Sequence, residues 1–169
     1  MKNLSKSKVV LSGVVAAGFL AGAIALPGAY AHAQEKKGPH TSAIKARQGL
    51  MQIQGHSMGI LGGMAKGNIP YDAKQASDAA YNLQLTSLVM QGAMWPKGSE
   101  KDAAGLTEKT SAKPEIWSTY PKITEKNKAF KEAADELVKV AGNGLDALKG
   151  GLGPVGKSCK GCHDDYKAK

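Results

Sequence analysis

Both cysteines of this chain, Cys159 and Cys162, fall in a run of residues spaced in threes and fours: Leu145, Leu148, Leu152, Val155, Cys159, Cys162 and Tyr166. That spacing puts them on one stripe of a single helix, turned towards an interior. A helix that presents two thiols along its buried face, at the very end of the chain, restricts the fold more than any compositional figure. It needs a matching surface along its whole length.

The remainder supplies such surfaces. After Ala33 no stretch shows the β-branched and aromatic alternation of a strand. Thr41 and Ser42 are good caps for a first helix that runs to about Ala65. Ile44, Met51, Met58 and Ala65 recur every seventh residue, with Gln48, Gly55 and Gly62 between them, which predicts a heptad-like inner face. Gly49, Gly55, Gly59, Gly62 and Gly63 each weaken an exposed helix by about 1 kcal/mol. They suit a surface that another helix or a flat ligand approaches closely. "KGNIPYD" is a turn, and Asp72 caps a second helix to about Gly92, with Leu85, Leu88 and Val89 on its apolar side.

"AMWPKGSEKDAAGLTEKTSAK" reads as surface loop. Pro114 opens a third helix, where Ile116, Tyr120, Ile123, Asn127, Phe130, Ala134, Leu137 and Ala141 step by fours and threes. Pro121 bends this helix or moves its start forward. Gly142 to Gly144 break the chain before the last helix. Four helices with mostly short connections predict an all-α, antiparallel up-down four-helix bundle.

The first 33 residues stand apart. Lys2, Lys6 and Lys8 precede the apolar run "VVLSGVVAAGFLAGAIALPG" and the small residues "AYAHA". This is the pattern of a secretory signal peptide, residues 1–33, cleaved after Ala31 or Ala33, with the bundle domain at 34–169. A retained anchor competes, because the run approaches bilayer-spanning length. The Gly and Pro interruptions and the A-x-A exit favour cleavage, hence a periplasmic protein. The formal net charge of +9 becomes +6 once those three lysines are removed. The remaining lysines are scattered and no aromatic-rich basic platform exists, so nucleic acid is not an expected partner. No nucleophile, carboxylate pair or phosphate loop stands out, so catalytic turnover is not expected. Export favours disulfides, yet a bridge across C-x-x-C closes a tiny loop and restrains little chain.

Cys159, Cys162 and His163 occupy i, i+3 and i+4 and project to one side of their helix. Two thiols at that spacing can add to the two vinyl groups of a haem, and the next imidazole falls beneath the iron. The motif therefore predicts one covalently bound haem c. A zinc site would need a second pair of ligands, and a redox dithiol a βαβ setting; neither is present. As second axial ligands the other histidines are poor: His32 lies by the signal segment, His40 in the N-terminal tail, and His56 beside polar neighbours. Met51, Met58, Met64, Met90 and Met94 are the alternatives, although a methionine on an apolar helix face is more often core filler.

At this point the chain resembles the class II c-type cytochromes, the cytochrome c′ family. The resemblance rests on "ARQGLM", "KGNIPYDA", "AMWP", "KPEIW" and "VGKSCKGCHDDY", and spans the mature chain. It implies that Cys159 and Cys162 are the thioether anchors and His163 the proximal ligand. Arg47 and Gln48 match the pair that approaches the haem propionates, and Met51 the position above the iron. Trp117 matches a residue beside the haem, with ordinary core packing as its rival reading. Lys167 stands where many members carry a basic residue, often Arg.

Two branches follow from this resemblance. Low-spin members use a distal methionine and carry electrons between redox proteins of a respiratory or photosynthetic chain. High-spin members leave the iron five-coordinate, bind nitric oxide and sometimes carbon monoxide, and often form homodimers through the first two helices. Met51 occurs in either branch.

Overall fold

The computed structural model describes residues 38–169; the signal segment 1–33, with His32, lies outside the described residues. The helices are α1 (Thr41–Ala65), α2 (Ala73–Ser87), the single-turn α3 (Glu115–Ser118), α4 (Lys122–Val140) and α5 (Leu145–Tyr166), with a 3₁₀ turn at Gly92–Met94. The four long ones pack in a ring, α1 on α2 and α5, α2 on α4, and α4 on α5. Leu61, Met64, Leu83, Leu137, Leu148 and Val155 are fully buried at its centre. This is the predicted four-helix bundle. Among the described residues no helix is long and apolar enough to cross a membrane.

Helix α2 departs from expectation in face and length. Its buried side is Ala76, Ala79, Ala80 and Leu83, whereas Leu85, Leu88 and Val89 remain 44%, 52% and 37% exposed. Small side chains let α1 and α4 come close, so packing distance selects alanine where hydrophobicity alone points to leucine. The helix also stops at Ser87 rather than near Gly92. The Thr86 and Ser87 hydroxyls donate to the Leu83 and Gln84 carbonyls, local bonds that compete with helix continuation.

The third predicted helix divides at Pro121, which has no N–H to give and crowds the preceding turn. Glu115–Ser118 is left as the separate turn α3. On α1 the seventh-residue row is buried only at Ile44; Met58 and Ala65 are half-buried and Met51 is exposed. The first turns of α1 instead pack beneath the 94–110 loop through Thr41 and Arg47. Its later turns bury Ser57, Leu61 and Met64, a face rotated roughly a quarter turn away. Two different neighbours therefore replace the single stripe.

Within the bundle the α1 glycines mark no close approach of another helix. A Cβ on Gly49, Gly55, Gly59 or Gly62 would meet nothing within 4 Å, and only Gly63 would touch Ile69. Within the helices the tight contact is in α5, where a Cβ on Gly151 would stand 2.7 Å from Val140 and 3.0 Å from Leu137. The long connection is also more than a loop. Ala112 bridges to Lys167, Lys113 N–H donates to the Tyr166 carbonyl, and Ala168 N–H donates to Ser111. These bonds stitch the chain's end to the residues before α3.

Candidate haem site

Along α5, Val155, Cys159, Cys162 and Tyr166 follow the inner side. Cys159 packs against the main core, and Cys162 against a second cluster of Ala112, Ile116 and Tyr166 with Trp95, Trp117 and Ile123. Both thiols are free and half-buried. Burial pushes each thiol up; a hydrogen bond with Ser158 opposes this at Cys159, and the Lys126 charge opposes it at Cys162. His163 follows at the surface. Partial desolvation and the nearby Lys167 charge hold its imidazole below the ordinary value, against the pull of Asp164. Burial thus favours the neutral thiols and the neutral imidazole, and a neutral ring nitrogen is the form that ligates a metal.

The other expected residues lie on or near α1. Arg47 is 3% exposed. Its Nη1 donates to Ser99 Oγ (2.7 Å) and the Met94 carbonyl (3.1 Å), and its Nη2 to the Ser99 carbonyl (2.5 Å) and Thr110 Oγ1 (2.8 Å). The guanidinium also lies 4.6 Å from the Trp95 ring centre, a favourable cation–π placement. Burial lowers its pKa while Glu100 raises it. Its hydrogen bonds in this structure therefore go to the 94–110 loop. Gln48 reaches the same loop through the Lys109 carbonyl at 2.7 Å.

Trp117 donates from Nε1 to the Trp95 carbonyl at 2.9 Å and meets the Trp95 ring edge-on, 6.5 Å between centroids. That places it in the cluster that holds Cys162. The methionines separate: Met64 is buried, Met58 packs on the core, Met94 is half-buried and Met90 is 90% exposed. Met51, 38% exposed, belongs to neither core cluster.

Several contributors were not legible beforehand. Trp95, Ser99 and Thr110 organise Arg47, and the Tyr166 hydroxyl pairs with Thr119 at 3.1 Å. Trp95 stood in "AMWP" and Tyr166 on the periodic stripe of α5, whereas Ser99, Thr110 and Thr119 were small hydroxyls that no pattern singled out. Among the described residues, no group of three or more His, Cys, Asp or Glu side chains converges as a self-sufficient metal site. Two half-buried thiols three residues apart with an imidazole beside them are instead the donor set of a c-type haem, and the residues present fit that group.

Comparison with known proteins agrees. A family model described as Cytochrome C' matches residues 42–167. Cytochrome c-554 of Cereibacter sphaeroides is 39% identical over 126 residues, covering 75% of this chain and 80% of its own. The structure of cytochrome c' from Rhodobacter Spheriodes matches with a TM-score of 0.71 at 33% identity, covering 77% of this chain and 98% of its own. A nitric oxide complex of a cytochrome c prime mutant from Alcaligenes xylosoxidans matches at 0.64 with 32% identity, covering 80% and 99%. With two thiols of a C-x-x-C-H motif on the inner side of the last helix of a four-helix bundle, this chain belongs to the cytochrome c′ family.

Proposed function

We propose that the protein is an exported, periplasmic monohaem electron carrier. Cys159 and Cys162 are its thioether anchors, His163 its proximal ligand and Met51 its second axial ligand. When bound, the haem supplies one-electron exchange between ferric and ferrous iron, at a potential raised by a Met/His ligand pair. The side chains hold and shield it. Trp117 and Tyr166 exclude water beside Cys162, and Arg47 with Gln48 fixes the loop over the start of α1, with the propionates as their second office.

The observation that carries this reading is the position of Met51, a thioether on the helix beside α5 that neither core cluster absorbs. Periplasmic residence rests on the N-terminal pattern of residues 1–33. The redox partners would be proteins of a respiratory or photosynthetic chain. A homodimer through α1 and α2 is supported by the exposure of Ile53, Tyr81, Leu85 and Leu88.

A second reading, a five-coordinate protein that sequesters nitric oxide, is favoured by the nitric oxide complex among the structural relatives. Absorption spectra of the haem-loaded protein separate the two. Sharp low-spin bands indifferent to carbon monoxide are expected, and Met51→Ala should convert them to a broad, carbon-monoxide-sensitive spectrum. A wild-type spectrum already of the second kind overturns the methionine ligation.

A further inference from the structure

Beside the thiol-bearing side of α5 runs a second side made of Pro154, Lys157, Ser158 and Gly161. It faces Lys126, Ala129 and Ala133 of α4 across a groove of about 400 Å³. Ser158 and Gly161 are the chain neighbours of Cys159 and Cys162, so the groove wall and both thiols share the same helical turns. The floor is small and nearly uncharged, and its rim is cationic.

Lys122 stands one turn before Lys126 on α4, and Lys160 one residue before Gly161. Two acids on this side are already neutralised: Asp165 pairs with Lys126 at 2.8 Å and Asp164 with Lys160. Lys113 adds a further cation, donating to the Asp164 and Asp165 carbonyl oxygens. Lys122 and Lys157 have no carboxylate within ion-pair distance among the described residues, although the Lys122 charge reaches Asp165. Glu115, Glu125 and Glu132 are the remaining acids on the adjoining stretch, and Glu132 pairs with Lys128 at 3.8 Å.

We infer that this α4–α5 face is the docking surface for an acidic electron-exchange protein. The inference rests on the carrier reading and specifies its partner. Unpaired ammonium groups at the rim attract carboxylates and steer their approach. The floor of alanine, glycine and serine lets a partner's chain come down beside the turns that carry the thiols.

Flavodoxin, a small acidic flavoprotein, serves as the probe: its hydroquinone loses one electron to become the semiquinone, and the ferric protein gains it. Stopped-flow rates with haem-loaded protein should fall about tenfold as salt rises from low to physiological concentration. Lys122→Glu/Lys157→Glu should lower the low-salt rate by about tenfold, and Lys122→Gln/Lys157→Gln by a smaller factor. A charge-matched control at the opposite end of the bundle, Lys66→Glu/Lys149→Glu, should change it less than twofold. Unaltered haem spectra and circular dichroism establish that each variant is folded.

Equal losses in both Glu pairs would mean that net charge alone matters, and would overturn the docking face while leaving the carrier intact. Slow exchange at every ionic strength, together with carbon monoxide binding by the wild type, would overturn the carrier and the docking face with it.

Discussion

The Tyr71 hydroxyl joins two connections that are far apart in sequence. It donates to the Ala141 carbonyl and accepts from Gly144 N–H, both at 2.9 Å, so the α1–α2 turn is tied to the α4–α5 turn. Gly144 has φ 111°, a conformation that suits glycine and not a residue with a Cβ. Tyr71→Phe keeps the ring and leaves one donor and one acceptor without this partner. A loss of about 1–2 kcal/mol is expected in urea unfolding, and an unchanged midpoint would show that water replaces the hydroxyl without cost. Nothing in "NIPYD" reports this role, because its partners lie some seventy residues away. The same holds for Arg47, whose acceptors Ser99 and Thr110 sit in an aperiodic loop. The attachment motif of the haem c was legible for the opposite reason: Cys159 to His163 are five consecutive residues.

At the level of elements, α4 and α5 meet where Gly151 faces Val140 and Leu137. A methyl group there must displace at least one of them, at about 1–3 kcal/mol, which exceeds the roughly 1 kcal/mol that alanine gains in helix propensity. The adjacent Gly150 points to open space. Gly150→Ala should therefore raise the thermal midpoint and Gly151→Ala lower it; equal shifts would remove the crowding argument. The periodicity of α4 and α5 was readable because their buried residues are long apolar ones. The face of α2 was not, because a stripe of alanines carries little hydrophobic signal although it governs how near the neighbouring helices come. Burial on α1 changes face midway because a loop covers one half and a helix the other, and no single period describes both.

For the whole molecule, two carboxylates link helices of the ring. Asp135 on α4 accepts from Lys131 and from Gln84 of α2, and Asp165 on α5 pairs with Lys126 of α4. The hydrogen bond from Lys131, then that from Gln84, holds Asp135 below the ordinary carboxylate range. The hydrogen bond from Lys126 does the same for Asp165. Because the folded values are depressed, their stabilisation is present above the unfolded value of about 3.9 and is lost as pH falls through the folded values. Between pH 5 and pH 3 the urea midpoint of the wild type should fall more than that of Asp135→Asn/Asp165→Asn. Parallel declines would assign acid sensitivity to other groups. The ring of four helices followed from loop lengths and apolar spacing alone, whereas these cross-links depend on which faces meet.

The stitching of Ala112 and Ser111 to Lys167 and Ala168 also sets an order of events. On the proposed export, N-terminus first, α5 would arrive last, and the residues before α3 would wait for partners more than fifty positions behind them. The bundle would then close only once α5 has emerged, so the two thiols would leave the export channel while the structure around them is still open. Attachment of the haem then belongs to assembly, and a tag fused after Lys169 would be held beside the last contact to form.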